Sequence, residues 1–223
     1  MILFDIIELV LGGDIMKLTR ADKAAIQNGD SNYLVNKGIR YYYDQDYEVA
    51  LDYFHLAAAL GNGRAAGYIG HCYMHGEGVP AEVDLALSYF RIGMDSRDVE
   101  SFYRLGKNYC DGVGVEKDHE LGVYYYENAL AELLENGQLQ EQLAYPALFY
   151  QLALEKAPGG GMGENLSTSY KYLLIAHTGY TLAIENGAFY YENALQEVQE
   201  KMNDDMYDGV KEIVEKEFRD EYL

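Results

Sequence analysis

The chain has 223 residues, enough for one domain with a substantial core, and its apolar and charged fractions of 49% and 24% are those of a globular protein rather than a disordered one. Its formal net charge of −20 repels phosphate backbones and anionic bilayers, which argues against nucleic acid and membrane as partners. Two cysteines, Cys72 and Cys110, are too few for a disulfide scaffold and read as buried free thiols in a reducing cytoplasm.

The first residues, Met1 to Leu11, are apolar but carry Asp5 and Glu8 and lack the basic start of a secretory signal. The run is also too short to span a bilayer. Two readings stand side by side: an N-terminal packing helix, or a translated ribosome-binding site at Gly12-Gly13 with Met16 as the true start.

Downstream the chain repeats itself. The segment Ile69-Gly70-His71-Cys72-Tyr73-Met74-His75-Gly76-Glu77-Gly78-Val79 returns, thirty-six positions later, as Leu105-Gly106-Lys107-Asn108-Tyr109-Cys110-Asp111-Gly112-Val113-Gly114-Val115. The same shift carries Tyr89-Phe90 onto Tyr125-Tyr126. An earlier copy holds Gly38, Tyr41, Ala50 and Tyr53-Phe54, with a tight Tyr43-Asp44-Gln45-Asp46 turn in place of the Gly-x-Gly-Val loop. A period of this length marks stacked helical hairpins. Ala66, Ile69, Gly70 and Tyr73 share one face of a first helix, and Ala86, Tyr89 and Phe90 form the stripe of a second. Glycine inside a helix costs about 1 kcal/mol against alanine, so Gly38, Gly70 and Gly106 imply close approach of the partner helix. Gly76, Gly78, Gly112 and Gly114 are expected at positive φ, and Gly61-Asn62 and Asn136-Gly137 as helix C-caps.

Beyond residue 130 the pattern decays. Pro146 to Ala157 reads as a helix with Leu148, Leu152 and Ala153 on its apolar face, followed by the glycine-rich loop 157–163. Ser167 is the expected cap of the next helix, which carries Tyr172-Leu173 and Ala176. The words Tyr125-Tyr126-Glu127-Asn128-Ala129-Leu130 recur as Tyr190-Tyr191-Glu192-Asn193-Ala194-Leu195, which predicts another hairpin element. Val210, Ile213, Val214 and Phe218 then line a closing helix.

These motifs resemble the Sel1-like repeats, relatives of the tetratricopeptide repeats. The second copy carries the pattern as Ala66, Ile69-Gly70, Tyr73, Gly76-Glu77-Gly78-Val79, Glu82, Ala86 and Tyr89-Phe90. The third carries it as Leu105-Gly106, Tyr109, Gly112-Val113-Gly114-Val115, Asp118 and Tyr125-Tyr126. The first has a shorter, tetratricopeptide-like turn and places Lys37 where an apolar residue is usual, a departure that suits a terminal repeat facing water. The resemblance implies an all-α fold, an α-solenoid of helix-turn-helix repeats. Its parts are an N-terminal segment (1–30), a tetratricopeptide-like repeat (31–63), two Sel1-like repeats (64–98 and 99–137), a degenerate repeat (138–180) and C-terminal capping helices (181–223), together one domain, 1–223.

Chemistry-bearing constellations are sparse. The glycine loops lack the Gly-Lys-Ser/Thr of a phosphate site. His71 and His75 stand four apart on a helix beside Cys72, but no third ligand is evident, so they read as surface histidines and no metal or cofactor is expected. Some members of the resembling family have been credited with acting on β-lactams. That chemistry wants Ser-x-x-Lys, and Thr168-Ser169-Tyr170-Lys171 puts Thr in the nucleophile's place. No catalytic residue is assigned. The family's role implies a protein-interaction module, an adaptor or scaffold holding a protein or peptide on its concave face. Transferring the repeat register puts Asn36, Arg40, Tyr43, Tyr68, His71, His75, Arg104, Lys107 and Asn108 outward on the first helices. A basic strip bordered by tyrosine inside an acidic body would attract a carboxylate-bearing peptide. The alternatives are an immunity-type inhibitor meeting a basic target, a self-assembling homodimer, and a hydrolase whose serine or cysteine meets a histidine only in the fold.

Overall fold

The computed structural model describes residues 18–136 and 139–222, and among them there are helices and turns but no strand. The chain divides into two compact units, Met1–Lys117 and Asp118–Leu223, so the two helices of the third repeat belong to different units. The expectations for Met1–Leu11, for Gly12-Gly13 with Met16, and for Gly137 as a cap fall outside the described residues.

The first unit holds α1 (Arg20–Asn28), α2 (Ser31–Tyr43), α3 (Tyr47–Ala59), α4 (Gly63–His75), α5 (Val83–Asp95) and α6 (Val99–Asp111). Each helix packs on the next, and α4 also reaches α6. The hairpin seams are close because glycine permits it. A Cβ on Gly38 would lie 2.6 Å from the Phe54 ring, and one on Gly70 would lie 2.8 Å from Phe90 and 3.0 Å from the Ala86 carbonyl. Phe54 and Phe90 are thereby fully enclosed, each contributing about 2–3 kcal/mol of apolar burial. Gly76, Gly78, Gly112 and Gly114 all have φ between 70° and 74°, as their place in the turns demands.

Three first helices begin alike. Asp30, Asn62 and Asp98 accept the backbone N–H groups of Tyr33, Ala65 and Ser101, which caps α2, α4 and α6 at the repeat spacing. Asn62 is therefore a helix start, correcting the C-cap expectation. Gly61 alone takes the left-handed conformation, at φ 83°. The Asn62 amide also donates to Ser31 Oγ and Asn32 Oδ1, both at 3.1 Å, tying α4 to the preceding repeat.

Lys37 does not face water. The helix α1, which the repeat pattern did not foretell, brings Asp22 to 2.6 Å from its ammonium. Asp22 is wholly buried and accepts further hydrogen bonds from the Thr19 backbone and hydroxyl and from the hydroxyls of Tyr33 and Tyr53. Thr19 and Asp22 form a reciprocal capping box that starts α1. The first repeat is thus covered by a helix carrying a complementary charge.

The second unit holds α7 (His119–Asn136), α8 (Leu139–Leu143), α9 (Pro146–Lys156), α10 (Leu166–Glu185), α11 (Glu192–Met202) and α12 (Lys211–Tyr222), with 3-10 turns at Phe189–Tyr191 and Asp205–Tyr207. The expected hairpin is present: α9 packs on α10, and Leu148, Leu152 and Ala153 are fully buried. Asn165, not Ser167, caps α10, because its side chain accepts the Thr168 N–H at 2.9 Å. The intervening loop is pinned by Glu155, which accepts the Gly161 N–H at 2.6 Å, and by Lys156, which donates to the Met162 carbonyl.

The long helix α10 is the centre of this unit, touching α8, α9, α11 and α12. Its Ser169 hydroxyl lies 2.7 Å from the Ala153 carbonyl and 2.8 Å from the Tyr207 hydroxyl, and Tyr170 donates to Glu215. Within α12, Val214 and Phe218 are buried as expected, but Ile213 is 63% exposed because its side of the helix meets no neighbour in the unit.

Candidate functional site

The helices α2, α4 and α6 present one shared face, and the ends described above fix its register. Each begins at a side-chain cap, and α4 and α6 end at left-handed Gly76 and Gly112. Tyr42 links α2 to α4. Its ring lies 5.9 Å from His71 and 6.4 Å from Tyr68, and its hydroxyl donates to Glu77 Oε2 at 2.8 Å. Tyr68 stacks on Phe54 at 4.7 Å, and the Arg64 guanidinium carbon lies over the Tyr68 ring, 5.7 Å from its centroid.

Of the residues assigned from sequence, Asn36, Arg40 and Tyr43 are exposed on α2, and Tyr43 keeps 64% of its surface in solvent. Tyr68 and His71 are half-buried and His75 is exposed, all on α4. On α6, Lys107 is exposed and Arg104 half-buried. Asn108 departs from the expectation of an outward position, with only 8% exposure. The buried stripe of α6 runs through Ser101, Leu105 and Asn108, at steps of four and three, so Asn108 faces inward while Arg104, Lys107 and Asp111 turn out.

The face is less basic than its cations imply. Arg104 pairs with Glu100 and Lys107 with Asp111, each at 2.7 Å and one helical turn away. Such solvent-accessible pairs are weak, typically below about 1 kcal/mol, so an incoming carboxylate can compete for them. Glu77 adds a further negative charge, and sequence reasoning passed over both it and Tyr42. Tyr42 looked like one tyrosine in a run of three, and Glu77 like a turn residue.

Burial, then the nearby charges of Arg104 and His75, push the His71 imidazole down to about 3, so it is neutral at physiological pH. Its Nε2 stands 3.5 Å from Glu77 Oε2, while its Nδ1 is buried without a hydrogen-bond partner. Burial and the Glu77 charge raise the Cys72 thiol to about 12, which makes it an inert core group.

Paired helices meeting at small-residue seams, with capped first helices sharing a face, define a helical-repeat protein. Three segments, 24–62, 64–93 and 100–132, match the Sel1 repeat. Sel1 repeats generally serve protein–protein interaction. A Sel1 repeat protein from Oxalobacter formigenes superposes with a TM-score of 0.53 at 17% identity, over 83% of this chain and 87% of that one. A protective antigen of uropathogenic Escherichia coli strains, displaying an SLR fold, gives a TM-score of 0.52 at 21% identity, over 80% of this chain and 38% of that one. These likenesses show the all-α repeat fold. No curated protein shows significant sequence similarity to the chain. Among the described residues, no helix is long and apolar enough to cross a membrane.

Proposed function

We propose that the α2–α4–α6 face is a docking surface for a protein segment, and that the chain acts as a non-catalytic adaptor. The observation that carries this reading is the gathering of Tyr42, Tyr43, Tyr68, His71, His75 and Arg104 from three successive repeats onto one face, with Tyr43 largely in solvent. Aromatic rings with polar tips supply contact area at low entropic cost. The exchangeable Arg104–Glu100 and Lys107–Asp111 pairs select a segment bearing carboxylates, which would replace the internal partners.

Affinity capture from the native cell tests this, comparing the wild type with Arg104→Glu/Lys107→Glu and with Arg91→Glu on the exposed side of α5. The double variant loses the captured protein and Arg91→Glu keeps it. Equal capture by all three places the docking surface elsewhere. The charge of −20 favours one second reading, an immunity-type inhibitor whose acidic exterior meets a basic target. In that case the charge-reversed double variant retains its partner and moderate salt releases it.

A further inference from the structure

We propose that His71, His75 and Glu77 form a binding site for a divalent transition-metal ion of the zinc class at the C-terminal end of α4. His71 and His75 stand four apart on the helix, on one face, and their ring centroids are 4.4 Å apart. The left-handed Gly76 turns the chain immediately after the helix, and the Glu77 N–H returns to the Cys72 carbonyl at 3.0 Å. That turn lays the Glu77 carboxylate beside His71. The 3.5 Å between His71 Nε2 and Glu77 Oε2 is close to the edge of a zinc tetrahedron, about 3.3 Å for bonds of about 2.0–2.1 Å. One ligand pair is therefore already at coordination spacing. His75 is exposed, its ring centroid 4.4 Å from that of His71, and would complete the set by turning its ring toward the ion, with water filling the remaining position.

Two features of the surroundings serve such a site. Tyr42 donates to Glu77 at 2.8 Å and holds the carboxylate in place, the role that outer partners play around metal ligands. The end of α4 also carries partial negative charge from the helix dipole. The Arg104 charge opposes a cation here, but Glu100 at 2.7 Å offsets it and Glu77 adds a full negative charge. The sequence alone lacked a third ligand, and Glu77 supplies it. This inference stands apart from the docking role and does not require it.

Calorimetric titration of the full chain with Zn²⁺, in excess Mg²⁺ to occupy the acidic surface, tests the site, with Co²⁺ absorption as the spectroscopic readout. The expected result is saturable uptake of one equivalent and tetrahedral Co²⁺ bands. His75→Ala and Glu77→Gln should each weaken uptake by about tenfold or more. His75 is solvent-exposed, so His75→Ala keeps the wild-type urea midpoint without metal, which separates lost ligation from lost folding. Absence of saturable uptake, or uptake equal in the wild type and His75→Ala, overturns the proposal.

Discussion

Lys37 and Asp22 show how a single substitution in a repeat pattern is accommodated. Burial pushes the Asp22 carboxyl up, but hydrogen bonds from Lys37, Thr19 and Tyr53 outweigh it and hold the group at about 2, below its ordinary 3.8. A depressed acid contributes stability that is present above its unfolded pKa and disappears as the pH falls through the folded one. Between pH 4 and 2 the wild type should lose about 2 kcal/mol from this residue, and Asp22→Asn should flatten that part of a urea-midpoint profile. Lys37→Met should cost about 3 kcal/mol at neutral pH, because it leaves a buried carboxylate without its cation. Gly70→Ala is a contrasting case. Its Cβ would meet both the enclosed Phe90 ring and the Ala86 carbonyl, so overpacking of about 1–3 kcal/mol exceeds the helix-propensity gain of about 1 kcal/mol. A urea midpoint at or above the wild type would contradict that seam.

At the scale of elements, the caps matter twice. Asp98 both starts α6 and packs against Gly67 of α4, where a Cβ would come within 2.8 Å of its Oδ2. Burial raises its carboxyl to about 6, although the Ser101 N–H and hydroxyl pull the other way. The sign is opposite to that of Asp22. A folded pKa above the unfolded one means the folded protein binds the proton more tightly, so stability rises as the pH falls from about 6 towards 4. Asp98→Asn keeps a capping side chain and should remove that rise, which chemical denaturation at pH 7, 5.5 and 4.5 would show. A wild-type profile flat over this window would place Asp98 in water rather than in the α4–α6 contact.

For the whole molecule, the excess of acidic groups dominates. A net charge of −20 on 223 residues generates strong electrostatic self-repulsion. Raising monovalent salt from about 0.01 M to about 0.1 M shortens the screening length from about 30 Å to about 10 Å. The thermal unfolding temperature should therefore climb over that range at pH 7. A melt that is insensitive or falls with salt would mean that paired carboxylates, not repulsion, control stability.

What the chain determines by itself is what depends on local backbone geometry and period. The helical hairpins, the Gly38 and Gly70 seams, the positive-φ turn glycines and the Sel1 repeats were all legible, because a tight turn or a close crossing admits few residue types wherever it occurs. The exposed positions Asn36, Arg40, Tyr43, His75 and Lys107 followed from the same register. Tertiary packing decided the rest. Asp22 meets Lys37 across fifteen residues, Glu77 returns over His71, and Asn108 rotates into the α6 stripe by one helical step. The twin words at 125–130 and 190–195 make the point most directly. In α7 the sequence is helical throughout, with Tyr125 half-buried and Tyr126 buried, whereas the second copy opens in a 3-10 turn with the matching Tyr190 65% exposed and Tyr191 only half-buried. Identical residues share propensities but not neighbours, and burial free energy belongs to the neighbours.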